Sequence, residues 1–223
     1  VDEALPASRL ETLNRRKLLL ACLLMRRPKL LLLDEPAAGL INAEVDELDH
    51  LIRLLSKEMG MSIVIVEHRI ELLETIADRV MVMSKGQIEQ VGSADDIYDR
   101  PATPFVFDFI GDSSQLPVVI DNGHVRFDNR IIAIEAQDQP NGPATLFFRP
   151  NHIRLSREGE EGRSIVGRVT GSRRLGDARR LELEIGDQHR CEIDVPADAD
   201  IPRKASVAIQ PTNWKLYPAQ KDV

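Results

Sequence analysis

The sequence contains few of the residues from which zinc sites and disulfide frameworks are built. Two cysteines occur among 223 residues, and no CxxC motif or Cys/His cluster indicates a zinc site. Cys22 lies in an apolar, helix-like stretch, and Cys191 lies in a strand-like stretch. We therefore expect both to be small, buried side chains in a reducing compartment.

Long apolar runs and an excess of positive charge are also missing. The longest apolar stretch, "LLLACLLM" at residues 18–25, is much shorter than the roughly 20 residues that span a membrane. The acidic start "VDEALPAS" does not resemble a signal peptide. A net charge of −7 argues against free-standing nucleic-acid binding. We therefore expect a cytoplasmic chain without a nucleic-acid partner, which can still dock on a membrane protein.

Helix and strand patterns alternate in the first half of the chain. Residues 10–28 and 42–60 have the apolar spacing of helices. The runs "KLLLLDE" (29–35) and "SIVIVEH" (62–68) are almost continuously apolar, which is typical of strands covered on both faces in a parallel sheet. This order predicts an α/β fold with a parallel sheet.

Several residues in this half are typical of the ends of helices and strands. Asn42 is expected to cap the helix over residues 42–60, and Gly60 fits the left-handed position at its end. The stretch 84–86 (Ser-Lys-Gly) predicts a turn between two strands. Ser93 with Asp96 three residues later predicts another helix start.

From about residue 115 the helical pattern ends. Short strand-like runs follow, separated by Gly, Pro, Asn and Asp. Many short strands with regular turn signals predict a small antiparallel barrel or sandwich. We therefore predict two domains: an α/β portion at residues 1–112 and an all-β domain at residues 113–223.

Polar side chains follow the two predicted buried strands. Asp34 and Glu35 end the first strand, and His68 ends the second. The carboxyl ends of parallel strands share one edge of a sheet, where α/β proteins bind ligands. There an Asp can hold Mg²⁺, a Glu can polarise a water, and a His can contact a phosphate. The alternative for the acidic pair alone is a strand that simply ends in a polar loop.

These residues resemble the motifs of ABC transporter ATPases. Residues 30–36 ("LLLLDEP") are similar to the Walker B motif, and "AAGL" stands where the D-loop of the family lies. By this resemblance the first half is part of a P-loop NTPase domain that uses ATP and Mg²⁺. Asp34 is then the magnesium residue, Glu35 the catalytic carboxylate and His68 the γ-phosphate sensor. The stretch "DEPAAGLINAEVDEL" is similar to ATPases of branched-chain amino-acid importers.

Two family features differ in this sequence. The signature LSGGQ corresponds to "LETLN", so Leu10, Glu11, Thr12, Leu13 and Asn14 occupy the segment that faces the partner subunit's ATP. The side chains of Thr12 and Leu13 would obstruct the close backbone approach that glycines permit. None of the 13 glycines lies in a GxxxxGK[ST] phosphate loop. We therefore expect negligible ATPase activity from these 223 residues alone.

The all-β half resembles the transport-associated OB-like domain of importer ATPases. Three stretches carry the resemblance: "DRPATPFVFDFIGD" (99–112), "LFFRPNHIRLS" (146–156) and "GRVTGSRRLGDARRLELEIG" (167–186). The first of them is most similar to sulfate/thiosulfate-type ATPases. By this resemblance the second half forms an OB-like barrel.

Six residues of this half are candidates for an anion or regulatory site. Arginine forks match the oxygens of sulfate, and four arginines flank the turn "LGDA". The candidates are Arg149, His152, Arg173, Arg174, Arg179 and Arg180. The alternatives are a solvated hairpin for the four arginines and strand-pinning contacts for the other two residues.

The resemblance implies an ATP-binding and ATP-hydrolysing subunit of an ABC importer, most readily one for sulfate or thiosulfate. Such a subunit forms a homodimer or pairs with a second ATPase subunit on transmembrane permease subunits, at the inner face of the cell membrane. A periplasmic solute-binding protein acts with it indirectly. Two alternatives stay open. One is an importer of branched-chain amino acids, polyamines, iron or molybdate, and the other is a non-catalytic, degenerate ATPase that serves as a regulatory or interaction module.

Overall fold

The computed structural model describes residues 6–156, 161–186 and 188–219, apart from the side chains of residues 71 and 161. The chain divides into two compact units, Val1–Arg100 and Pro101–Val223. The predicted domain boundary lies after residue 112, so the stretch between the two positions belongs to the second compact unit.

The first unit alternates helices and strands after a short 3-10 turn at Ala7–Arg9. Its elements are α1 (Thr12–Leu24), β1 (Leu30–Asp34), α2 (Asn42–Lys57), β2 (Ser62–Val66), α3 (Ile70–Ile76), β3 (Val80–Ser84), β4 (Gln87–Gly92) and α4 (Ala94–Asp99). Strands β1 and β2 pair in parallel, and β3 and β4 form an antiparallel hairpin. The predicted α/β order with parallel strands is confirmed.

Helices cover one face of the β1–β2 pair. Leu31 and Ile63 pack with Leu20 of α1 and Leu55 of α2 in one apolar cluster. The opposite face, called the bare face below, carries four exposed apolar side chains: Leu30, Leu32, Val64 and Val66. The prediction that both faces are covered is wrong for the described residues, because their helices pack on one side of the pair.

Helix α2 begins one residue earlier than the predicted cap implies. Ile41 is the N-cap, and its backbone N–H donates to the Glu44 carboxylate at 3.0 Å. Asn42 is already helical, and its side-chain oxygen accepts a hydrogen bond from Arg69 at 3.2 Å. The prediction that Asn42 caps the helix is therefore wrong. Gly60 has the expected left-handed backbone, with a φ of +63°.

The β3–β4 hairpin and the start of α4 follow the sequence signals. Lys85 and Gly86 have φ values of +49° and +78°, which is the left-handed pair that a tight two-residue hairpin turn requires. The Ser93 hydroxyl accepts a hydrogen bond from the Asp96 N–H at 3.1 Å and so caps α4. Both local predictions are confirmed.

The second unit starts with one helix and continues as strands. Its elements are α5 (Pro104–Ile110), β5 (Ser114–Asp121), β6 (His124–Phe127), β7 (Arg130–Glu135), β8 (Gly142–Phe148), β9 (Ile153–Leu155), β10 (Ile165–Leu175), β11 (Ala178–Ile185), β12 (His189–Pro196), β13 (Ser206–Pro211) and β14 (Trp214–Pro218), with a 3-10 turn at Glu161–Arg163. Of the helices described in either unit, none combines the length and the apolar character needed to cross a bilayer.

The strands of the second unit form two five-stranded antiparallel sheets. Their orders are β12-β11-β10-β13-β9 and β14-β8-β5-β6-β7. Alternate residues of the two sheets meet in one core, with Leu116 and Phe148 from one sheet and Leu181 and Ile193 from the other. The predicted all-β half is confirmed. Of the two predicted forms, the described strands adopt the layered one, and no pairing closes them into a single ring.

The two cysteines differ in exposure. Cys191 is buried in the core of the second unit, as expected, whereas Cys22 is exposed on α1. The prediction that Cys22 is buried is wrong because α1 packs through Leu13 and Leu20, which lie on a different face of the helix.

Candidate functional site

The three residues predicted from the strand ends lie at one edge of the β1–β2 pair. Asp34 stands opposite Val66 in the parallel register, and the Glu35 N–H donates to the Val66 carbonyl at 2.8 Å. His68 follows β2 by two residues. Its Nδ1 atom lies 3.7 Å from the Glu35 Oε1 atom. The structure thus brings a carboxylate and an imidazole together as the pattern predicts, while their catalytic roles stay predictions.

The side chains of Glu35 and His68 both face solvent. The exposed fraction is 56% for the Glu35 side chain and 64% for the His68 side chain, and Asp34 is also exposed. The three groups are therefore accessible to a ligand that approaches this edge of the strands.

Glu35 has an unusual backbone. Its φ of +43° lies in the left-handed region, which costs a residue with a side chain about 1–2 kcal/mol. Hydrogen bonds at the backbone N–H and at the carbonyl of Glu35 hold this conformation. The Glu35 carbonyl accepts from the Ala38 N–H at 3.1 Å and from the Arg16 guanidinium at 3.0 Å. Strained backbone of this kind is common where a side chain must be aimed at a ligand.

Glu67 is part of the same cluster, although the sequence patterns did not identify it. Its side chain has no exposed surface. One carboxylate oxygen accepts the Ala37 N–H at 2.9 Å, and the other accepts the N–H groups of His68 at 2.9 Å and Arg69 at 3.2 Å. The only sequence signal is an acidic residue at the end of an apolar strand, directly before the histidine.

Arg16 also reaches this cluster without having been predicted. Its guanidinium donates to the Glu35 carbonyl at 3.0 Å and to the Ala38 carbonyl at 2.6 Å. The sequence shows it only as one member of the basic group "RRK" early in α1. Arg16 therefore connects α1 to the loop that carries Glu35.

The segment predicted to face a partner's ATP forms the start of α1. Glu11 is the N-cap, and Glu11 and Thr12 are exposed. Leu13 is only 5% exposed and packs in the core with residues of α2 and α3. Leu10 and Asn14 are partly buried. The Leu13 side chain thus points into the protein, so only the exposed part of this segment can meet a ligand.

Asp34 and Glu35 offer the carboxylate oxygens that Mg²⁺ prefers as ligands. Within the described residues, no group of three or more His, Cys, Asp or Glu side chains is arranged to hold a metal ion. Mg²⁺ is commonly bound by one or two carboxylates together with waters and phosphate oxygens. A single exposed carboxylate such as Asp34 is sufficient for that mode of binding.

The four arginines around the β10–β11 turn do not form one site. Arg173 pairs across the hairpin with Arg180, and Arg174 pairs with Arg179. Directly opposed residues share a face and successive residues alternate between faces, so the four side chains divide into two pairs on opposite faces of the sheet. The four candidate arginines therefore do not converge on one oxyanion site.

On one of these faces, acidic side chains bind both arginines, Arg173 and Arg180. Arg180 forms a two-point ion pair with Asp194, at 2.7 and 3.0 Å, and also contacts Asp112 and Glu192. Hydrogen bonding to Asp194 is the main reason that the pKa of Arg180 is raised. Arg173 binds both oxygens of Glu192, at 3.1 and 3.2 Å. These guanidinium groups are neutralised within the fold.

Arg149 corresponds to the strand-pinning alternative. Arg149 is buried, and its Nη1 atom donates to the carbonyls of Phe107, Gly111 and Asp112 at 2.9, 2.7 and 3.1 Å. Its guanidinium also lies 4.2 Å from the centre of the Phe107 ring. These contacts direct the Arg149 side chain to the end of α5, and its anion role stays a prediction. The backbone N–H of His152 donates to the Arg149 carbonyl at 3.0 Å.

Comparison with protein families identifies part of the second unit. The TOBE domain family matches residues 146–213. The matched stretch begins in β8 and ends just before β14, so it covers strands of both sheets.

Comparison with curated proteins extends over both units. The chain is 46% identical over 208 residues to the sulfate/thiosulfate import ATP-binding protein CysA of Mesorhizobium japonicum, covering 92% of this chain and 59% of that protein. It is 43% identical over 207 residues to CysA 1 of Rhizobium meliloti, with the same two coverages. The chain therefore spans 59% of the length of these relatives.

Among solved structures, one similar chain is described as cbiO1 from Clostridium perfringens, part of the ABC transporter complex cbiONQ. It is 31% identical and has a TM-score of 0.41, over 44% of this chain and 39% of that chain. Over 92% of its length, the present chain is similar to sulfate/thiosulfate import ATP-binding proteins, and residues 146–213 of its all-β part match the TOBE domain family.

Proposed function

We propose that these residues belong to the ATP-binding and ATP-hydrolysing subunit of an ABC importer whose solute is sulfate or thiosulfate. The observation that carries the proposal is the 46% identity over 208 residues to a sulfate/thiosulfate import ATP-binding protein. The adjacent carboxylate and imidazole at the ends of β1 and β2 support the hydrolytic part of it.

Each residue of the site has a specific task in this proposal. Asp34 would hold Mg²⁺, and that ion would neutralise phosphate charge on the bound nucleotide. Glu35 accepts a hydrogen bond from the attacking water and orients it toward the terminal phosphate. His68 donates a hydrogen bond to an oxygen of that phosphate. The exposure of all three side chains is consistent with their meeting a ligand from outside the unit.

The proposed partners follow from the import function of the relatives. A second ATP-binding subunit meets the segment of Glu11 and Thr12, and permease subunits carry the solute across the membrane. The subunit then acts at the inner face of the cell membrane. The phosphate loop that these 223 residues do not contain is supplied by another segment or subunit of the assembly.

A chimera tests the proposal. The 223 residues replace the matching segment of the Mesorhizobium japonicum relative, and uptake of radiolabelled sulfate is measured in cells that lack their own importer. We expect sulfate uptake with the wild-type segment. With Glu35→Gln, which keeps size but removes the base, uptake and ATP hydrolysis should fall by about 100-fold or more.

The controls separate the competing functions. Uptake of molybdate, iron, a polyamine or a branched-chain amino acid in place of sulfate would reassign the solute. A chimera that is folded and membrane-bound, yet takes up none of these and hydrolyses no ATP, would contradict the proposal and favour a non-catalytic regulatory module.

A further inference from the structure

Glu67 lies between the loop that carries Glu35 and the loop that carries His68. We propose that Glu67 is a positioning residue, and that its carboxylate fixes the distance between these two groups by binding both loops at once. This inference rests on the proposed function for its catalytic consequence, while its structural part concerns these residues alone.

The contacts of Glu67 divide between the two loops. On the Glu35 side, one oxygen accepts the Ala37 N–H at 2.9 Å. On the His68 side, the other oxygen accepts the His68 N–H at 2.9 Å and the Arg69 N–H at 3.2 Å. One rigid, planar group therefore joins the two loops.

The chemistry of these contacts requires a carboxylate. All three groups that hydrogen-bond to Glu67 are backbone N–H donors, and an ionised carboxylate offers only acceptors. A glutamine of the same size keeps one acceptor oxygen but presents an NH₂ group to the other loop, where donor meets donor. An aspartate keeps two acceptors but is shorter by one methylene. We therefore expect Glu67→Gln to break the bridge that the Glu67 carboxylate forms between the two loops, and Glu67→Asp to weaken it.

Burial increases the effect of the bridge. The Glu67 side chain has no exposed surface, so water cannot take over a lost hydrogen bond without a rearrangement of the loops. Charge-assisted hydrogen bonds are stronger than neutral ones. A change at Glu67 should therefore alter both loops together.

Arg16 holds the Glu35 loop from the other side. It donates to the carbonyls of Glu35 and Ala38, whereas Glu67 accepts the N–H of Ala37 between them. The loop is thus fixed to α1 through its carbonyls and to the His68 loop through an amide. Glu67 is the member of this pair that determines where Glu35 lies relative to His68.

The imidazole of His68 lies between the two carboxylates. Its Nδ1 atom is 3.6 Å from Glu67 and 3.7 Å from Glu35. Glu67 therefore acts on the candidate site through its neighbours. It has no exposed surface with which to touch a substrate itself.

Amide hydrogen exchange measured by NMR on this chain, without nucleotide, tests the structural part. In Glu67→Gln we expect exchange of the Ala37 and His68 amides to become about 10-fold faster or more, with a smaller change in Glu67→Asp. The matched control is Glu58→Gln, which removes the same charge from an exposed position at the end of α2. Unchanged exchange of both amides in a folded Glu67→Gln protein would overturn the proposal.

Steady-state kinetics of the chimera test the catalytic part. Glu67→Gln should lower the kcat of ATP hydrolysis about 10-fold or more while the KM for ATP stays unchanged, and Glu67→Asp should recover part of the loss. An active chimera whose kcat does not respond, despite faster exchange, would overturn the positioning role. If the wild-type chimera has no activity, the proposed function fails, and the exchange measurement alone decides whether Glu67 joins the loops.

Discussion

Arg180 places a guanidinium in a site where only 8% of its side chain is exposed. Its charge is compatible with this position because carboxylates surround it, and Asp194 binds it at two points. A buried ion pair of this kind contributes little compared with an apolar pair, but removing one partner leaves an uncompensated charge.

Truncating Arg180 should therefore be costly. We expect Arg180→Ala to lower the free energy of unfolding by about 3 kcal/mol or more, because Asp194 loses its partner while staying largely buried. Arg174→Ala, one register position away on the neighbouring strand and exposed, should change it by less than about 0.5 kcal/mol. Urea unfolding followed by circular dichroism measures both values. Equal losses for the two variants would contradict this account of Arg180.

The two thiols should react at very different rates. Cys22 is exposed, whereas Cys191 is buried in the core. Ellman's reagent should modify one thiol per native chain rapidly and the second only after unfolding. Cys22→Ser should remove the rapid phase. Rapid modification of two thiols in the native protein would show that the core of the second unit opens readily.

Burial of Cys191 also predicts a loss of stability at alkaline pH. Burial raises the pKa of its thiol from 9.0 to about 12. The unfolded chain therefore loses this proton above about pH 9 while the folded chain keeps it, so stability is complete below pH 9 and declines from there toward pH 12. The full loss is about 4 kcal/mol for a shift of this size.

Unfolding in urea at pH 8 and pH 10.5 measures this decline. Cys191→Ala should reduce the difference between the two pH values, although its cavity lowers stability at both. Part of the decline should remain, because burial also raises the pKa of Tyr217 to about 12. An identical pH dependence in the wild type and the variant would contradict the assignment to Cys191.

At the scale of elements, the β3–β4 hairpin depends on the two left-handed residues of its turn. Gly86 has a φ of +78°, and a Cβ built there meets no atom within 4 Å. Gly86→Ala should therefore cost about 1 kcal/mol from the backbone alone, without a steric clash. Gly162→Ala is the control, since that site is equally open but has no left-handed φ. A loss of stability of the same size in both variants would exclude the backbone explanation.

The elements were largely predictable because their signals are local. Apolar spacing, the turn at Lys85 and Gly86, and the Ser93 cap each depend on a few consecutive residues, and the structure agrees with them. The start of α2 was not predictable in the same way. The Asn42 side chain contacts Arg69, which is distant in sequence, and so Ile41 became the cap.

The candidate site was predictable only in part, for the same reason. The common edge of parallel strands brings Glu35 and His68 together, and a strand pattern is sufficient to infer that edge. The contacts of Glu67 and Arg16 with neighbouring loops depend on packing that no spacing rule reports. The division of the arginines depends on the β10–β11 register, which places them in two pairs on opposite faces.

At the scale of the whole molecule, the bare face is the most prominent apolar surface of the β1–β2 pair. Leu32 is 69% exposed there, beside Leu30, Val64 and Val66. Contiguous apolar surfaces bind dyes and promote association, whereas scattered exposed side chains do not. This surface should therefore contribute to dye binding and self-association of the isolated chain.

Two lysines should change that behaviour without unfolding the protein. We expect Leu32→Lys combined with Val66→Lys to reduce the fluorescence of bound anilinonaphthalene sulfonate and to decrease self-association in sedimentation experiments. The matched control is Val119→Lys combined with Val166→Lys, at exposed apolar positions of the second unit. If the control pair lowers dye binding as much as the first pair, the bare face is not the surface responsible.

The bare face also affects the thermodynamics of unfolding. Apolar surface that is exposed in both the folded and the unfolded state adds nothing to the heat-capacity change of unfolding. Per residue, the first unit should therefore have a smaller heat-capacity change than the second, whose sheets bury their inner faces against each other. The free energy of unfolding of the first unit should therefore curve less with temperature. Any polypeptide that covers the face acts as a ligand of the folded state, so the melting temperature of the first unit should rise with the concentration of that polypeptide.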